Sequence, residues 1–168
     1  HFSTLAAEYG LRETETYNRV EMNMNYLGYT IGSFIKGMKG ERIARRALKL
    51  ISFDENVKIL YNIALEDEEA QAEYDAIVIT PYGLFVVEVK NWGAEMHINE
   101  NGILRRNDQD IKYDLPGRMS VKEGLLREYL GDIFPDKYQG IVLFSNENAK
   151  VQDDYKQMPV CYGGGIVY

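Results

Sequence analysis

Cysteine is almost missing from this chain: Cys161 is the only one in 168 residues. No disulfide framework can form within it, which fits a reducing, cytoplasmic setting. Cys161 has no His or Asp motif beside it and reads as a small buried hydrophobe. Histidine is nearly absent too. His1 is terminal and His97 has no second histidine near it, so His97 reads as a surface residue rather than a ligand. No stretch reaches the roughly 18 consecutive apolar residues of a membrane helix. The opening H-F-S-T-L-A-A-E-Y-G lacks the charged start and apolar run of a signal peptide. It also lacks an initiating methionine, and the chain stops at G-G-G-I-V-Y on what reads as a beginning strand, so a fragment of a longer protein with further domains is expected. Basic residues are outnumbered, with Lys+Arg 19 against Asp+Glu 26 and a net charge of −7. That balance argues against nonspecific adhesion to nucleic acid or acidic membranes as the main activity, while leaving room for a local basic face. Neither an internal repeat nor a low-complexity tract is present.

What the chain does have is a strongly apolar centre. Residues 73 to 91 read E-Y-D-A-I-V-I-T-P-Y-G-L-F-V-V-E-V-K-N. Two runs rich in Val, Ile and Phe flank Thr80-Pro81-Tyr82-Gly83, whose Pro and Gly suit a tight reversal, so this is a buried hairpin. With the turn at 80 to 83, position 79 faces about 84, and Asp75 falls roughly opposite Glu88. Glu88 and Lys90 are two apart and share a face. Three charged groups therefore converge at the ends of two apolar strands, and their burial is costly unless they pair or bind a metal. A bland alternative stays open, in which Glu88 and Lys90 form an ordinary exposed pair and Asp75 caps the strand entry.

Around this hairpin the chain has a regular order. Residues 1 to 36 carry helical spacing at Val20, Met24, Leu27 and Ile31, but Gly28, Gly32 and Gly37 each cost about 1 kcal/mol against Ala and speak for one or two helices rather than a single long one. This extension is expected to pack on the main domain or on a second copy of the chain. Residues 37 to 52 form the clearest helix, with Ala44, Ala47, Leu48 and Ile51 as an apolar stripe and Glu41 at its N-terminal end. Arg42, Arg45 and Arg46 make this helix basic, either as a solvated face or as phosphate contacts. Glu41 either points towards the helix's packing partner or pairs with Arg45 one turn on. A strand is expected at about 57 to 65 and an acidic loop at 66 to 69. A second hairpin follows around Asn101-Gly102, then a polar loop over 107 to 115. Pro116 starts a helix that ends at Gly131, and a buried strand covers 138 to 144. Residues 158 to 161 and 166 to 168 read as short strands. The result is an α/β fold, a mixed sheet flanked by helices, with the strand after the second helix joining in parallel. The domain organisation is a helical extension over 1–36 and a single domain over 37–168.

Taken together, G-E-R-I-A-R-R-A-L, Y-N-I-A-L and E-Y-D-A-I-V-I-T-P-Y-G-L-F-V-V-E-V-K-N-W-G resemble the NERD (nuclease-related) domain, a branch of the PD-(D/E)xK restriction-endonuclease-like superfamily. The resemblance covers roughly residues 37 to 145 and implies an α-β-β-β-α-β core. It also implies a metal-dependent nuclease acting on DNA rather than RNA. Asp75, Glu88 and the backbone carbonyl of Val89 would hold Mg²⁺ or Mn²⁺. Lys90 would orient the attacking water or stabilise charge on the phosphorane-like transition state, and Glu41 would contact a metal-bound water or a second metal. Family members often carry an N-P-x-x-Q-type element with its Gln facing the site. Here D-L-P-G-R-M-S-V-K puts Met119 or Ser120 at that point, and Arg118 or Lys122 offers a phosphate contact instead. Two other functions remain in view: a nuclease-fold module without turnover that binds nucleic acid or a protein partner, and an assembly element that self-associates through its N-terminal helices.

Overall fold

The computed structural model describes residues 15–106 and 109–163. They form an α/β arrangement of two α-helices and two mixed sheets. Residues 1–14 and the expected strand at 166–168 lie outside the described residues. The chain divides into two compact units after Met38, and helix α1 (Glu15–Ile51) contributes to both. That helix corrects the expectation of a break near Gly28, Gly32 or Gly37. Glycine lowers helix propensity without removing the backbone hydrogen bond, so three of them weaken a long helix and do not end it.

In the second unit the hairpin forms as its composition dictates. Strand β1 (Lys58–Glu66), β2 (Gln71–Thr80) and β3 (Gly83–Lys90) run antiparallel in turn, with Ile79 opposite Leu84 and Thr80 opposite Gly83. Gly83 has a φ of +144°, and a Cβ there would meet the Lys137 carbonyl at 2.6 Å. Gly83→Val is expected to cost about 1–3 kcal/mol through backbone strain, to be read as a drop in the urea midpoint. An unchanged midpoint would remove this account of the turn.

Helix α2 (Leu115–Leu130) returns the chain to the sheet, where β7 (Tyr138–Phe144) lies parallel to β3, from Leu84 opposite Tyr138 to Lys90 opposite Phe144. Strand β9 (Val160–Tyr162) continues in parallel on β7, giving the order β1-β2-β3-β7-β9. A second sheet, ordered β6-β5-β4-β8, is built from β4 (Glu95–Ile98), β5 (Ile103–Arg106), β6 (Gln109–Asp114) and β8 (Lys150–Asp153). Strand β6 replaces the polar loop expected over 107 to 115. Among the described residues it is an edge strand paired with β5, and Tyr113 packs it against the core.

Two cores follow from the alternation of side chains along β3. Val87 joins Ala44 and Leu48 of α1, Ala76, Val78 and Leu143. Leu84 and Val86 instead join Leu115, Met119, Leu125 and Leu126 of α2, with Met96, Ile98 and Leu104 of the second sheet. Each of the Val, Leu, Ile and Met side chains among them taken fully out of water contributes about 1.5–3 kcal/mol. Of the stripe expected on α1, Ala44, Ala47 and Leu48 are buried and Ile51 is partly so, while Arg42, Arg45 and Arg46 stay exposed.

Candidate active site

Continuing the β3 alternation past Val86 puts Glu88 and Lys90 on the α2 side of the sheet, at the strand's C-terminal end. Asp75 reaches the same place by a less regular route. In β2, Tyr74 packs with the α2-side core and Ala76 with the α1-side core, although they are two residues apart. In β1, Ile63 and Tyr61 divide in the same way. Both strands thus exchange faces at Asn62 and Asp75, which lie between the paired positions Tyr61–Ala76 and Ile63–Tyr74. Asn62 absorbs the twist with a φ of +53°, a conformation that Asn tolerates better than most residues. Asp75 therefore sits inside β2 rather than at its start, where the sequence reading had it.

This crossover lets Asp75 line two cavities. The larger, about 650 Å³, is walled by Glu73, Asp75, Glu88 and Lys90 on the sheet, Tyr113 and Asp114 at the end of β6, and Arg118 and Lys122 on α2. The smaller, about 280 Å³, joins Asp75 to Glu41 and Asn62. Within it Asn62 Nδ2 donates to Glu41 Oε2 at 3.1 Å.

Asp75 Oδ2 accepts the Val89 backbone N–H at 2.6 Å, fixing the carboxylate one residue from Glu88. Burial and the neighbouring Glu88 charge raise the Asp75 pKa, against the lowering influence of that N–H, Lys122 and Lys90. Glu88 is buried, and both of its oxygens are engaged. Oε1 accepts from Lys90 Nζ at 2.6 Å and from the Tyr113 hydroxyl, and Oε2 accepts from Lys122 Nζ. Burial pushes the Glu88 pKa up, but Lys90 and Lys122 outweigh it and bring it down to about 2. Tyr113 is held protonated well above its usual range by burial and by Glu88. Its ring has Lys90 Nζ 3.8 Å and the Arg118 guanidinium 4.3 Å from its centroid, and Trp92 packs edge-on at 6.2 Å. Helix α2 is started by Asp114, whose side chain accepts the Gly117 N–H at 2.9 Å. That start sets the rotation that buries Met119 and Lys122 together, three residues apart.

The model of the family described as NERD, nuclease-related domain, matches residues 36–145. The chain belongs to the NERD family. No curated protein and no solved structure matches it.

Of the residues expected at the NERD site, Asp75, Glu88, Lys90, Arg118 and Lys122 share the larger cavity. Glu41 shares the smaller one with Asp75. Arg42, Arg45 and Arg46 line neither cavity, and Arg45 lies over the Tyr61 ring at 4.9 Å instead. Met119 belongs to the core and Ser120 is exposed, so α2 meets the carboxylates through Lys122. Tyr113 and Asn62 escaped the sequence reading. For Tyr113 a signal existed: Ile111 and Tyr113 alternate with Asp110, Lys112 and Asp114 as in an edge strand.

Among the described residues, no three His, Cys, Asp or Glu side chains gather into a ready metal cluster. Mg²⁺ and Mn²⁺ nonetheless need only one or two hard carboxylates, with water and phosphate completing the shell. Asp75 and Glu88 supply that minimum. The Val89 hydrogen bond engages Oδ2 of Asp75, and a carboxylate has acceptor capacity beyond one such bond. The donor chemistry fits a divalent ion, provided Glu88 exchanges one of its protein partners. No helix among the described residues is long and apolar enough to cross a membrane.

Proposed function

We propose that this NERD domain is a metal-dependent nuclease hydrolysing phosphodiester bonds, in DNA rather than RNA. Asp75, Glu88 and the Val89 carbonyl would hold Mg²⁺ or Mn²⁺. The observation that carries this reading is the convergence of Asp75, Glu88 and Lys90 from neighbouring strands into one solvent-reached cavity. Four carboxylates and three cations line that cavity. Its formal balance is one negative charge without a divalent ion and one positive charge with it, which then suits a phosphodiester. When bound, the ion supplies a nucleophile at neutral pH and neutralises phosphate charge. Lys90, against Glu88 and over the Tyr113 face, is held where an ammonium can meet developing negative charge on the substrate. Arg118, on the cavity wall, is the side chain best situated to hold a substrate phosphate. Glu41, across the smaller cavity from Asp75, would act on a water rather than on the phosphate itself.

Plasmid nicking in Mg²⁺ or Mn²⁺ tests this, with an RNA substrate alongside. Cleavage is expected from the unaltered chain with metal and not with chelator, and neither Glu88→Ala nor Lys90→Ala should cleave. Cleavage surviving in both variants would overturn the assignment. A second reading, a nucleic-acid-binding module without turnover, is favoured by one observation: protein donors already occupy both Glu88 oxygens. It predicts retention of labelled DNA with no nicking in either metal.

A further inference from the structure

We infer that Lys122 is an internal counter-cation at Glu88, one that a divalent metal has to displace, and that it thereby sets the metal affinity of the site. The inference rests on the metal-dependent reading above and goes beyond it by assigning a role to a residue on α2. Glu88 Oε1 is shared by Lys90 and Tyr113, whereas Oε2 has Lys122 as its hydrogen-bond partner. Ligation of a metal through Oε2 and the Lys122 hydrogen bond therefore compete for the same oxygen. Both side chains of that pair are only 8% exposed, so water screens little of the repulsion between an ammonium and an incoming ion. Lys122 also has somewhere to go. It lines the larger cavity, and its Nζ lies 5.4 Å from the Tyr74 ring, a second surface that favours a cation. The helix itself need not move, because the Tyr74 hydroxyl donates to the Lys122 backbone carbonyl at 2.7 Å and anchors the turn independently of the amine.

The test is calorimetric titration of the chain with MnCl₂, comparing Lys122→Met, Lys122→Arg and Glu88→Gln with the unaltered sequence. Lys122→Met should tighten Mn²⁺ binding by about tenfold or more, the scale of removing one near, poorly screened charge. Lys122→Arg should stay near the unaltered value, and Glu88→Gln should lose binding. Equal or weaker binding in Lys122→Met, with the Glu88→Gln loss intact, overturns the role of Lys122 and leaves the metal-dependent reading standing. Absence of Mn²⁺ binding in every form, Lys122→Met included, overturns both. A second measurement needs no variant at that position. Reductive methylation of Lys122 in the unaltered chain, followed by peptide mass spectrometry, should accelerate on Mn²⁺ saturation, while exposed Lys150 should not change. A Lys122 rate indifferent to Mn²⁺ overturns the displacement.

Discussion

Glu88→Gln is expected to cost the folded chain about 3 kcal/mol at neutral pH and to remove most of its sensitivity to acid. The substitution keeps the shape of the side chain and deletes its charge. Lys122 and Lys90, whose side chains are 8% and 13% exposed, would then be buried cations facing an amide. Breaking one side of a buried pair in this way costs about 3–5 kcal/mol. The acid response follows from the same contacts. In the folded chain the Glu88 pKa lies at about 2, below its ordinary 4.5, because the two lysines outweigh the opposing effect of burial. The unfolded chain therefore binds more protons between those values. The stabilisation is complete above pH about 4.5 and is lost progressively as pH falls towards 2, a difference worth about 3 kcal/mol. Asp75 works in the opposite sense, since its raised pKa means that protonation relieves a cost. The net fall in the unaltered chain is accordingly smaller than Glu88 alone would produce. Urea midpoints at pH 7, 5 and 3 decide the matter. The unaltered chain should lose stability across that range and Glu88→Gln should stay level or gain. Parallel losses in both would sink the account.

Lys90→Met should separate chemistry from folding. Its ammonium is one of three donors on Glu88, and Tyr113 and Lys122 remain after it is gone, so stability should fall by no more than about 1–2 kcal/mol. Turnover should fall much further. If Lys90 meets charge developing on the phosphodiester, its ammonium would contribute about 10²–10³ in kcat. Single-turnover nicking at saturating Mn²⁺, with the thermal midpoint as a companion measurement, distinguishes the two effects. A loss under threefold would take Lys90 out of the reaction. A large loss accompanied by unfolding would make it a structural residue.

These two expectations draw on different depths of the sequence. The hairpin and the shared face of Glu88 and Lys90 were legible because strand periodicity is local: Thr80-Pro81-Tyr82-Gly83 closes the turn, and counting outward from it gives the Ile79–Leu84 pairing that the structure has. The stripe Ala44, Ala47, Leu48 was legible for the same reason, as helical spacing needs no knowledge of the partner. The parallel return of β7 followed from the intervening helix. Asp75 was the harder case. Its position opposite Glu88 came from counting, but its access to both cavities comes from the exchange of faces at Asn62, and Asn is unremarkable in a strand until its φ is known. Strand β6 reads as a polar loop because its alternation is short, with only Ile111 and Tyr113 among polar residues, and with it went Tyr113 and the third donor to Glu88.

The amino-acid order by itself determined the central hairpin, the strand that returns parallel to it, the basic helix and the proximity of two carboxylates and an amine, since each follows from local periodicity and one turn. Only the tertiary structure decided which cation meets which oxygen. Lys122 and Glu88 are separated by 34 positions, and their contact depends on the rotation with which α2, started at Asp114, docks on the central sheet. No local pattern encodes that rotation, because it is set by the packing of Met119, Leu125 and Leu126 against residues contributed by distant strands.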